Sequence, residues 1–216
     1  EGDDRALFAY SDIESAMDGD FVGVDDTGVE TLAVDVARYG RDKSVVSKRK
    51  GFKIYDLKEY QGYSTTELST RVDNEYRTRP FDGVAVDTIG VGAGVFDKLK
   101  SMGVRGLIEA NVSMRAEEEK VYQNKRAEMY FSLKEFVSRG GKLPNDKELR
   151  EELLAITYFY NPTSGKIQLI SKDDIKETLG RSPDKSDSVA LHFFQKVRPN
   201  SMRMSGAIQA KVGSGW

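Results

Sequence analysis

Cysteine is absent from the 216-residue chain, and histidine occurs once, as His192. The lack of cysteine excludes disulfides and any Cys-ligated zinc or iron–sulfur site. The single histidine excludes a His-rich zinc site and a catalytic pair of two histidines. A metal ion bound by this chain must therefore have oxygen ligands, which favours magnesium, manganese or calcium.

Long apolar runs are also missing. No stretch approaches the roughly 18 consecutive apolar residues of a membrane span, and no signal peptide is visible. Hydrophobic residues make up 38% of the chain and charged residues 31%, as in ordinary globular proteins. A chain of this length can bury a substantial core. We therefore expect one main globular domain and no membrane partner.

The whole chain lacks a strong excess of either charge, because 33 basic residues stand against 35 acidic ones. The distribution is uneven, since the stretch from residue 196 onward contains no acidic residue but carries Lys196, Arg198, Arg203 and Lys211. A basic tail of this kind binds nucleic acid in some proteins and is a solvated terminus in others. The chain also begins at Glu1 instead of Met, which favours a processed product or an excised fragment.

The apolar pattern predicts a sheet that begins with antiparallel strands. Strands are expected at Thr31–Ala37, Lys43–Lys48 and Phe52–Leu57, and short turns join them into a meander. Two further strands, Gly83–Thr88 and Val104–Ile108, alternate with helical segments. Antiparallel strands followed by strand–helix–strand units predict an α/β fold, with a mixed central sheet flanked by helices.

Helices are expected between and after these strands. Ser64 and Glu67 form a capping-box pattern that opens one helix, and Pro80 closes that segment. The remaining expected elements are a short helix near Ser11–Met17, a helix from the IGVGAG run to Met102, helices at Tyr122–Arg139 and Lys147–Ala155, a hairpin of Ile156–Tyr160 with Lys166–Ile170, and a final helix from Pro183 to about Val197.

The ends of the chain differ in composition from the region between them. Residues 1–30 are acidic and contain glycine, which predicts a linker or edge segment outside the core. Residues 31–198 carry the strand and helix pattern and form the expected folded domain. Residues 199–216 are basic and contain Gly and Ser, which predicts a flexible tail.

Two predicted strands share the sequence Ala-Val-Asp. Because strand side chains alternate between faces, Asp35 lies on the same face as Ala33, and Asp87 lies on the same face as Ala85. If the two strands are parallel neighbours, both carboxylates lie at one level among small residues. Two carboxylates that close disfavour each other's charged form unless a cation lies between them.

A third carboxylate comes from the final predicted helix. Asp187 falls within the apolar arc of that helix, and Asp184 lies at its edge. A carboxylate on the core-facing side of a helix is rarely left uncompensated. Asp187 is therefore the better candidate to meet Asp35 and Asp87, and Asp184 is interpreted as an outer ligand or a neighbour.

Three inward carboxylates without histidine or cysteine suit two hard divalent ions, Mg²⁺ or Mn²⁺. Such a pair activates a water molecule and stabilises the departing oxygen in phosphodiester hydrolysis. The alternative for each aspartate is a helix cap or an ion-pair partner. The matching Ala-Val-Asp pattern favours the metal site for Asp35, Asp87 and Asp187 taken together.

Other polar features are weaker indications of function. Gly90–Gly94 is not a Walker loop and favours a sharp strand-to-helix turn, although its N–H groups could touch a phosphate. Asp42 is interpreted as a turn residue, and His192 as structural in preference to catalytic. For Lys125 and Arg126, contact with a DNA backbone and a solvated helix face explain the sequence equally well.

Four stretches of the sequence resemble the nuclease domain of the large terminase subunit of tailed bacteriophages. They are AVDVARYGRDKSVV, VAVDTIGVGAGVFDKL, NKRAEMYFSL and SKDDIKETLGRSPDKSDSVAL, and together they span nearly all of residues 31–195. The stretch LFAYSDIESAM also resembles the segment that follows the packaging ATPase domain in full-length terminases.

The resemblance implies an RNase H-like fold and a metal-dependent endonuclease that cleaves concatemeric double-stranded viral DNA during genome packaging, by two-metal-ion hydrolysis. The acidic triad of the family falls on Asp35, Asp87 and Asp187, with two Mg²⁺ or Mn²⁺ ions as cofactors. Whether Asp184 is also a ligand stays open. The chain lacks Walker A and B motifs, so it is expected to be an isolated nuclease domain.

The same resemblance implies partners and a location. The partners are double-stranded DNA, the terminase ATPase domain of the full-length chain, the portal and the small terminase subunit. The location is the packaging complex in the host cytoplasm, and not the mature virion. Because the body of the chain is acidic, we expect weak, salt-sensitive and nonspecific DNA binding.

Three alternatives to this function are considered. A junction-resolving nuclease of the same fold class would use the same carboxylates on a different DNA substrate. A docking module for the portal or small terminase subunit, with little activity, would explain the basic tail but not three intact carboxylates. An actin-like or sugar-kinase half would need a phosphate-binding turn, for which the sequence between residues 39 and 42 is poorly suited.

Overall fold

The computed structural model describes residues 5–19, 21, 23–24, 27–37, 42–79 and 81–199. In chain order the elements are β1 (Arg5–Ala6), α1 (Tyr10–Met17), β2 (Glu30–Asp35), β3 (Ser44–Lys50), β4 (Lys53–Tyr60), α2 (Thr65–Thr78), β5 (Gly83–Asp87), α3 (Gly92–Ser101), β6 (Leu107–Ala110), α4 (Lys125–Ser138), α5 (Lys147–Ala155), β7 (Thr157–Tyr160), β8 (Ile167–Leu169), α6 (Lys172–Leu179) and α7 (Asp184–Leu191).

The central sheet has five strands in the order β4-β3-β2-β5-β6. β2, β3 and β4 are consecutive antiparallel neighbours, whereas β5 pairs in parallel with both β2 and β6. The expected mixed sheet, an antiparallel meander plus parallel strands, is therefore confirmed. Three short strands form a second antiparallel sheet in the order β1-β7-β8, which contains the expected hairpin.

Helices cover both faces of the central sheet. On one face Leu32, Val34, Val84 and Val86 pack in a cluster with apolar residues of α2 and α3. On the other face the smaller Ala33 and Ala85 pack in a larger cluster with residues of α1, α4, α5 and α7. Because the large and small residues alternate along β2 and β5, the two faces separate as the sequence pattern predicts. None of the described helices combines the length and apolar character needed to cross a bilayer.

The N-terminal segment is part of the core, so the expectation that residues 1–30 lie outside it is wrong for α1 and the residues around it. Leu7, Phe8, Ile13 and Met17 are buried in the larger cluster. β1 is an edge strand of the smaller sheet. Three acidic residues in α1 and its flanks give this stretch a polar composition. The apolar face of α1 is nevertheless buried against α4 and α5.

Three other expectations differ from the structure. β6 begins three residues later than expected, at Leu107, because Gly106 adopts a left-handed turn with φ 71° just before it. α7 begins after Pro183 as expected but ends at Leu191, well before Val197, and short turns replace its predicted last residues. α6 is an additional helix that the sequence reasoning does not predict. The tail from residue 200 lies outside the described residues.

Candidate active site

Asp35 and Asp87 end two adjacent parallel strands. In the register of β2 and β5, Val34 lies opposite Val86, so the next residue of each strand is an aspartate at the same edge of the sheet. Adjacent strands are about 4.8 Å apart, which keeps the two side chains close. Asp35 is 4% exposed and Asp87 is 9% exposed. The backbone N–H of Ile89 donates to Asp87 Oδ1 at 3.0 Å.

Asp187 reaches the same region from the first turn of α7. This helix packs against β2, β3 and β5, where small residues let it approach closely. Ser188 Oγ lies 2.8 Å from Ser47 Oγ and donates to the Val45 carbonyl at 3.1 Å. These bonds fix the helix on the sheet, and Asp187, one residue earlier, is 4% exposed.

Two side chains of α4 contact Asp187. The Tyr130 hydroxyl donates to Asp187 Oδ1 at 2.8 Å and lies 3.0 Å from Ser186 Oγ. Arg126 Nε lies 3.7 Å from Asp187 Oδ1, and its Nη1 donates to the Ile170 carbonyl at 3.0 Å. The Nε and Nη2 groups of Arg126 are buried and have no hydrogen-bond partner among the described residues.

Lys172 places a positive charge among the carboxylates. Its Nζ lies 2.6 Å from Asp187 Oδ2 and 4.0 Å from Asp35 Oδ1. Lys172 is the first residue of α6, which Ser171 and Asp174 open with a capping box. Lys172 is not among the sequence candidates, although the Ser171 and Asp174 spacing and Gly180 at the helix end are signals that could have found α6.

The carboxylates shift one another's ionisation. Burial raises the pKa of Asp35 well above its usual value; the Lys172 ammonium opposes this rise, and the charges of Asp187, Asp184 and Asp87 add to it. Burial also raises the pKa of Asp87, against the Ile89 hydrogen bond and Lys172. Burial is therefore the main cause of both rises in pKa, and the charge of Asp187 adds to each.

Asp184 and Asp187 have opposite shifts. Burial raises the pKa of Asp184 to about 6, although the Lys43 backbone N–H donates to it at 3.0 Å. Burial alone would also raise the pKa of Asp187, but Lys172, Arg126 and the Tyr130 hydrogen bond outweigh it and lower this pKa. Asp187 is therefore the carboxylate whose charge is best compensated by the protein itself.

The donor chemistry of this cluster fits a hard divalent ion, because its acidic donor atoms are all carboxylate oxygens. Among the described residues, no three His, Asp or Glu side chains already converge tightly enough to enclose an ion. The cation between Asp35 and Asp187 is instead the Lys172 ammonium. An ion would therefore have to share the pocket with Lys172 or displace its side chain.

His192 and Lys125 have structural contacts away from the carboxylates. His192 Nδ1 lies 2.8 Å from Thr31 Oγ1, and its Nε2 lies 3.0 Å from Ser47 Oγ. Lys125 is buried, and its ammonium pairs with Glu117 and Glu128 at 2.8 and 2.7 Å. Both sequence interpretations of Lys125, DNA contact and a solvated face, are therefore wrong. The exposed Glu117 of the preceding loop and the buried Glu128 of α4 both pair with it.

The remaining candidates lie around the cluster. Arg126 is also not on a solvated face, because it packs beside Asp187. Asp42 accepts from Lys176 of α6 at 3.0 Å, so it connects the β2–β3 turn to that helix. The other turn residues, 38–41, lie outside the described part of the chain. Gly92, the first residue of α3, follows the sharp turn after β5. A Cβ there would lie 1.8 Å from the Asp87 carbonyl oxygen, so this position requires glycine.

No protein-family model and no curated protein matches the sequence. Solved structures with a similar fold are nuclease domains of large terminase subunits. That of bacterial virus Sf6 has a TM-score of 0.75 at 20% identity, covering 91% of this chain and 100% of its own. That of thermophilic phage G20c with bound magnesium has a TM-score of 0.63 at 18% identity, covering 88% and 97%. That of Thermus phage P74-26 has a TM-score of 0.59 at 17% identity, covering 91% and 100%. The chain has the RNase H-like fold of the nuclease domains of phage large terminase subunits.

Proposed function

We propose that this chain is a divalent-metal-dependent DNA endonuclease whose metal ligands are Asp35, Asp87 and Asp187. The observation that carries the proposal is the meeting of three buried carboxylates, from two parallel strand ends and one helix, with the Lys172 ammonium beside two of them, Asp35 and Asp187. Similar folds support it, because nuclease domains of this fold have been solved with bound magnesium and with manganese.

The ions of such a centre, Mg²⁺ or Mn²⁺, supply an activated water and stabilise the leaving oxygen of a phosphodiester. The protein residues would hold and orient the acidic ligands. Ile89 N–H fixes one rotamer of Asp87, and the Tyr130 hydroxyl fixes Asp187. Asp184, which the Lys43 backbone holds, would be an outer ligand or a neighbour of the ions.

Arg126 and Lys172 supply the positive charge of the site. The Nε and Nη2 groups of Arg126 are buried and lack hydrogen-bond partners in the described residues, so they would donate to a phosphate oxygen of the substrate only after a shift of the side chain. Lys172 compensates Asp35 and Asp187 in the absence of an ion. We propose that it moves towards the substrate phosphate when an ion takes its place between the carboxylates.

We extend the proposal to the substrate, the partners and the location of the chain. The substrate would be concatemeric double-stranded viral DNA, cut at genome packaging by two-metal-ion hydrolysis. The partners would be a terminase ATPase domain in the same full-length chain, the portal and the small terminase subunit, in the packaging complex of the host cytoplasm. The similarity to large terminase nuclease domains over about nine-tenths of the chain supports this assignment.

A plasmid-nicking assay tests the activity. With Mn²⁺ or Mg²⁺, the wild-type chain is expected to convert supercoiled plasmid to nicked and linear forms, and EDTA should stop the reaction. Asp35→Asn and Asp87→Asn should each lower the rate by about 100-fold or more, because each removes a charged metal ligand. Asp97→Asn on the exposed face of α3 is the matched control and should leave the rate unchanged.

Two results would redirect the proposal. Cleavage that survives Asp35→Asn and Asp87→Asn would remove the carboxylate centre as its source. A strong preference for a four-way junction over linear duplex of the same sequence would instead favour a junction-resolving nuclease. Metal binding by calorimetry without any cleavage would point to a docking module.

A further inference from the structure

A cavity of about 700 Å³ lies at the opposite end of the central sheet from the carboxylates. Thr31, at the start of β2, lines it, whereas Asp35 ends the same strand four residues later. At about 3.3 Å per residue, the two ends are about 13 Å apart. The other walls are the end of β3, the C-terminal half of α4, and the segments 192–193 and 195–198. This cavity is therefore separate from the candidate active site.

Arg49 of β3 forms one wall of the cavity. Its guanidinium carbon lies 5.1 Å from the ring centre of Phe136 and 4.6 Å from that of Phe193. These two ring centres are only 5.2 Å apart, so both rings lie on the same side of the guanidinium. Arg49 Nε donates to the Gly51 carbonyl at 3.0 Å. Its two Nη groups form no hydrogen bond to the described residues, so both are free to donate to a ligand while the Nε bond and the two rings hold the guanidinium.

The charge of Arg49 has no acidic partner within the described ranges. Burial lowers its pKa to about 10, and no carboxylate opposes that shift. Lys196 and Arg198 also line the cavity and form no ion pair with described residues. Arg139 pairs at 3.4 Å with Glu135, the one carboxylate among the described lining residues. Three positive charges are therefore left for a ligand to neutralise.

The arrangement of the Arg49 guanidinium and the neighbouring cations favours an anionic ligand with two or more oxygens. A fixed guanidinium with two free Nη groups pairs with two oxygens of a phosphate or carboxylate at once. A phosphate monoester carries a charge of about −1.5 to −2 near neutral pH, which matches several surplus cations better than a single carboxylate or an internal phosphodiester does. The half-buried Phe52 and Phe193 give the cavity an aromatic wall that suits a planar ring, and the buried Phe136 packs behind them.

We propose that this cavity binds a nucleoside 5′-monophosphate group, with its phosphate on the Nη groups of Arg49 and its base against the aromatic wall. The same chemical group occurs in a free nucleotide and at a 5′-phosphorylated DNA end. The site needs no metal ion and no carboxylate cluster, so it is independent of the nuclease proposal.

Calorimetric titration of the full chain in EDTA tests the site. The titrants are deoxyadenosine monophosphate, inorganic phosphate, and one short DNA strand with either a 5′-phosphate or a 5′-hydroxyl. Deoxyadenosine monophosphate should bind more tightly than inorganic phosphate, and the 5′-phosphorylated strand more tightly than its hydroxyl form. If the 5′-phosphorylated strand binds and the free nucleotide does not, the ligand is a DNA end. If only the free nucleotide binds, the source is the nucleotide pool.

Substitutions locate the binding on Arg49. Arg49→Met should weaken nucleotide binding by about 10- to 100-fold, because a hydrogen bond to a charged group contributes about 1.5–3 kcal/mol. Arg49→Lys should recover only part of the loss, because it keeps the charge but not the paired donors. Arg105→Met is the matched control at an exposed position. Metal-dependent nicking by Arg49→Met should equal that of the wild type, which separates this site from the active site.

The proposal is overturned if neither the nucleotide nor the phosphorylated strand binds, if neither binds more tightly than its own control (inorganic phosphate or the 5′-hydroxyl strand), or if Arg49→Met leaves the binding unchanged. If Arg49→Met does not fold, the double variant Lys196→Met/Arg198→Met decides, because both residues lie at the edge of the cavity and support no core packing. It should weaken nucleotide binding several-fold, and unchanged affinity would reject the site.

Discussion

Asp187 shows how neighbouring groups decide the state of one buried carboxylate. The Tyr130 hydroxyl, the Lys172 ammonium and the Arg126 guanidinium all lie within 3.7 Å of its oxygens. Burial would favour the protonated acid, but the two cations and the hydroxyl keep it ionised. Asp35 lacks this set of neighbours, and its pKa rises instead. The two carboxylates are therefore unequal before any ion binds.

Tyr130→Phe tests the role of the hydroxyl at Asp187. The variant loses one hydrogen bond to a charged group, so Asp187 should be less firmly oriented. We expect metal-dependent nicking to slow by about tenfold and the free energy of unfolding to fall by about 1–2 kcal/mol. Nicking assays and urea denaturation measure these effects. Tyr122→Phe is the control, because the Tyr122 hydroxyl has no hydrogen bond to a described residue; equal effects in both variants would contradict the assignment.

His192 should make stability depend on pH. Burial, with a contribution from Arg49, lowers the pKa of His192 well below its usual value, so the folded chain keeps it neutral. The unfolded chain binds a proton below about pH 6.5. The contribution of His192 is therefore complete above that pH and falls by up to about 1.4 kcal/mol per pH unit below it.

Urea denaturation of the wild type and His192→Gln at pH 7.5, 6.5 and 5.5 measures this contribution. The difference in unfolding free energy between the two proteins should shrink towards low pH. Other titrating groups are common to both proteins and largely cancel. A constant difference across the three values would show that His192 keeps an ordinary pKa in the folded chain.

At the scale of elements, the turn between β5 and α3 positions Asp87. Gly90 has φ 68°, a left-handed conformation that favours glycine. At Gly92, a Cβ would lie 1.8 Å from the Asp87 carbonyl oxygen, a distance no side chain can tolerate. A four-residue turn therefore leads from Asp87 at the end of β5 into α3. Only glycine at position 92 lets the start of α3 lie so close to the Asp87 carbonyl.

Gly92→Ala should displace the Asp87 backbone. We expect a loss of about 2–3 kcal/mol in unfolding free energy or more, and severely reduced metal-dependent nicking. Gly94→Ala is the matched control, because its nearest neighbour would be the Thr65 methyl at 3.8 Å. Since Gly94 lies inside α3, alanine there should stabilise the chain by up to about 1 kcal/mol. Similar stability of both variants would contradict the close approach at Gly92.

Local patterns predict the elements that depend on local physics. The capping box at Ser64, the Lys147–Ala155 helix and the hairpin around residues 161–165 agree with the sequence reasoning because short-range bonds specify them. α7 is shorter than its apolar pattern predicts, because the residues after Leu191 pack through turns while His192 bonds to two strands. The role of Lys172 could not be predicted, since it depends on how α6 packs against the rest of the molecule.

At the scale of the whole molecule, the carboxylate cluster joins distant parts of the chain. The sequence predicts Asp35 and Asp87 together because parallel strands with one pattern end at one edge. It predicts Asp187 from the apolar arc of α7. The compensating groups Tyr130 and Arg126 come from α4, whose position over the sheet is a long-range result of packing. Patterns along the chain therefore predict the three buried carboxylates but not the groups of α4 and α6 that compensate them.

The N-terminal helix α1 contributes to the same core. Ile13 is 0% exposed and lies in the cluster that contains residues of α4, α5 and α7. Ile13→Ala should therefore lower the unfolding free energy by about 2–5 kcal/mol, as in other large-to-small core substitutions. Urea denaturation measures the change, with exposed Ser11→Ala as the control. A change below about 0.5 kcal/mol would mean that α1 is only an appended segment.

The central claim is that Asp35, Asp87 and Asp187 together bind divalent metal. The most direct measurement is anomalous scattering from a crystal of the chain soaked in Mn²⁺. We expect an anomalous peak within ligand distance of all three carboxylates, with the Lys172 ammonium moved away from Asp187. No peak there at saturating Mn²⁺, with Lys172 still beside Asp187, would contradict the claim.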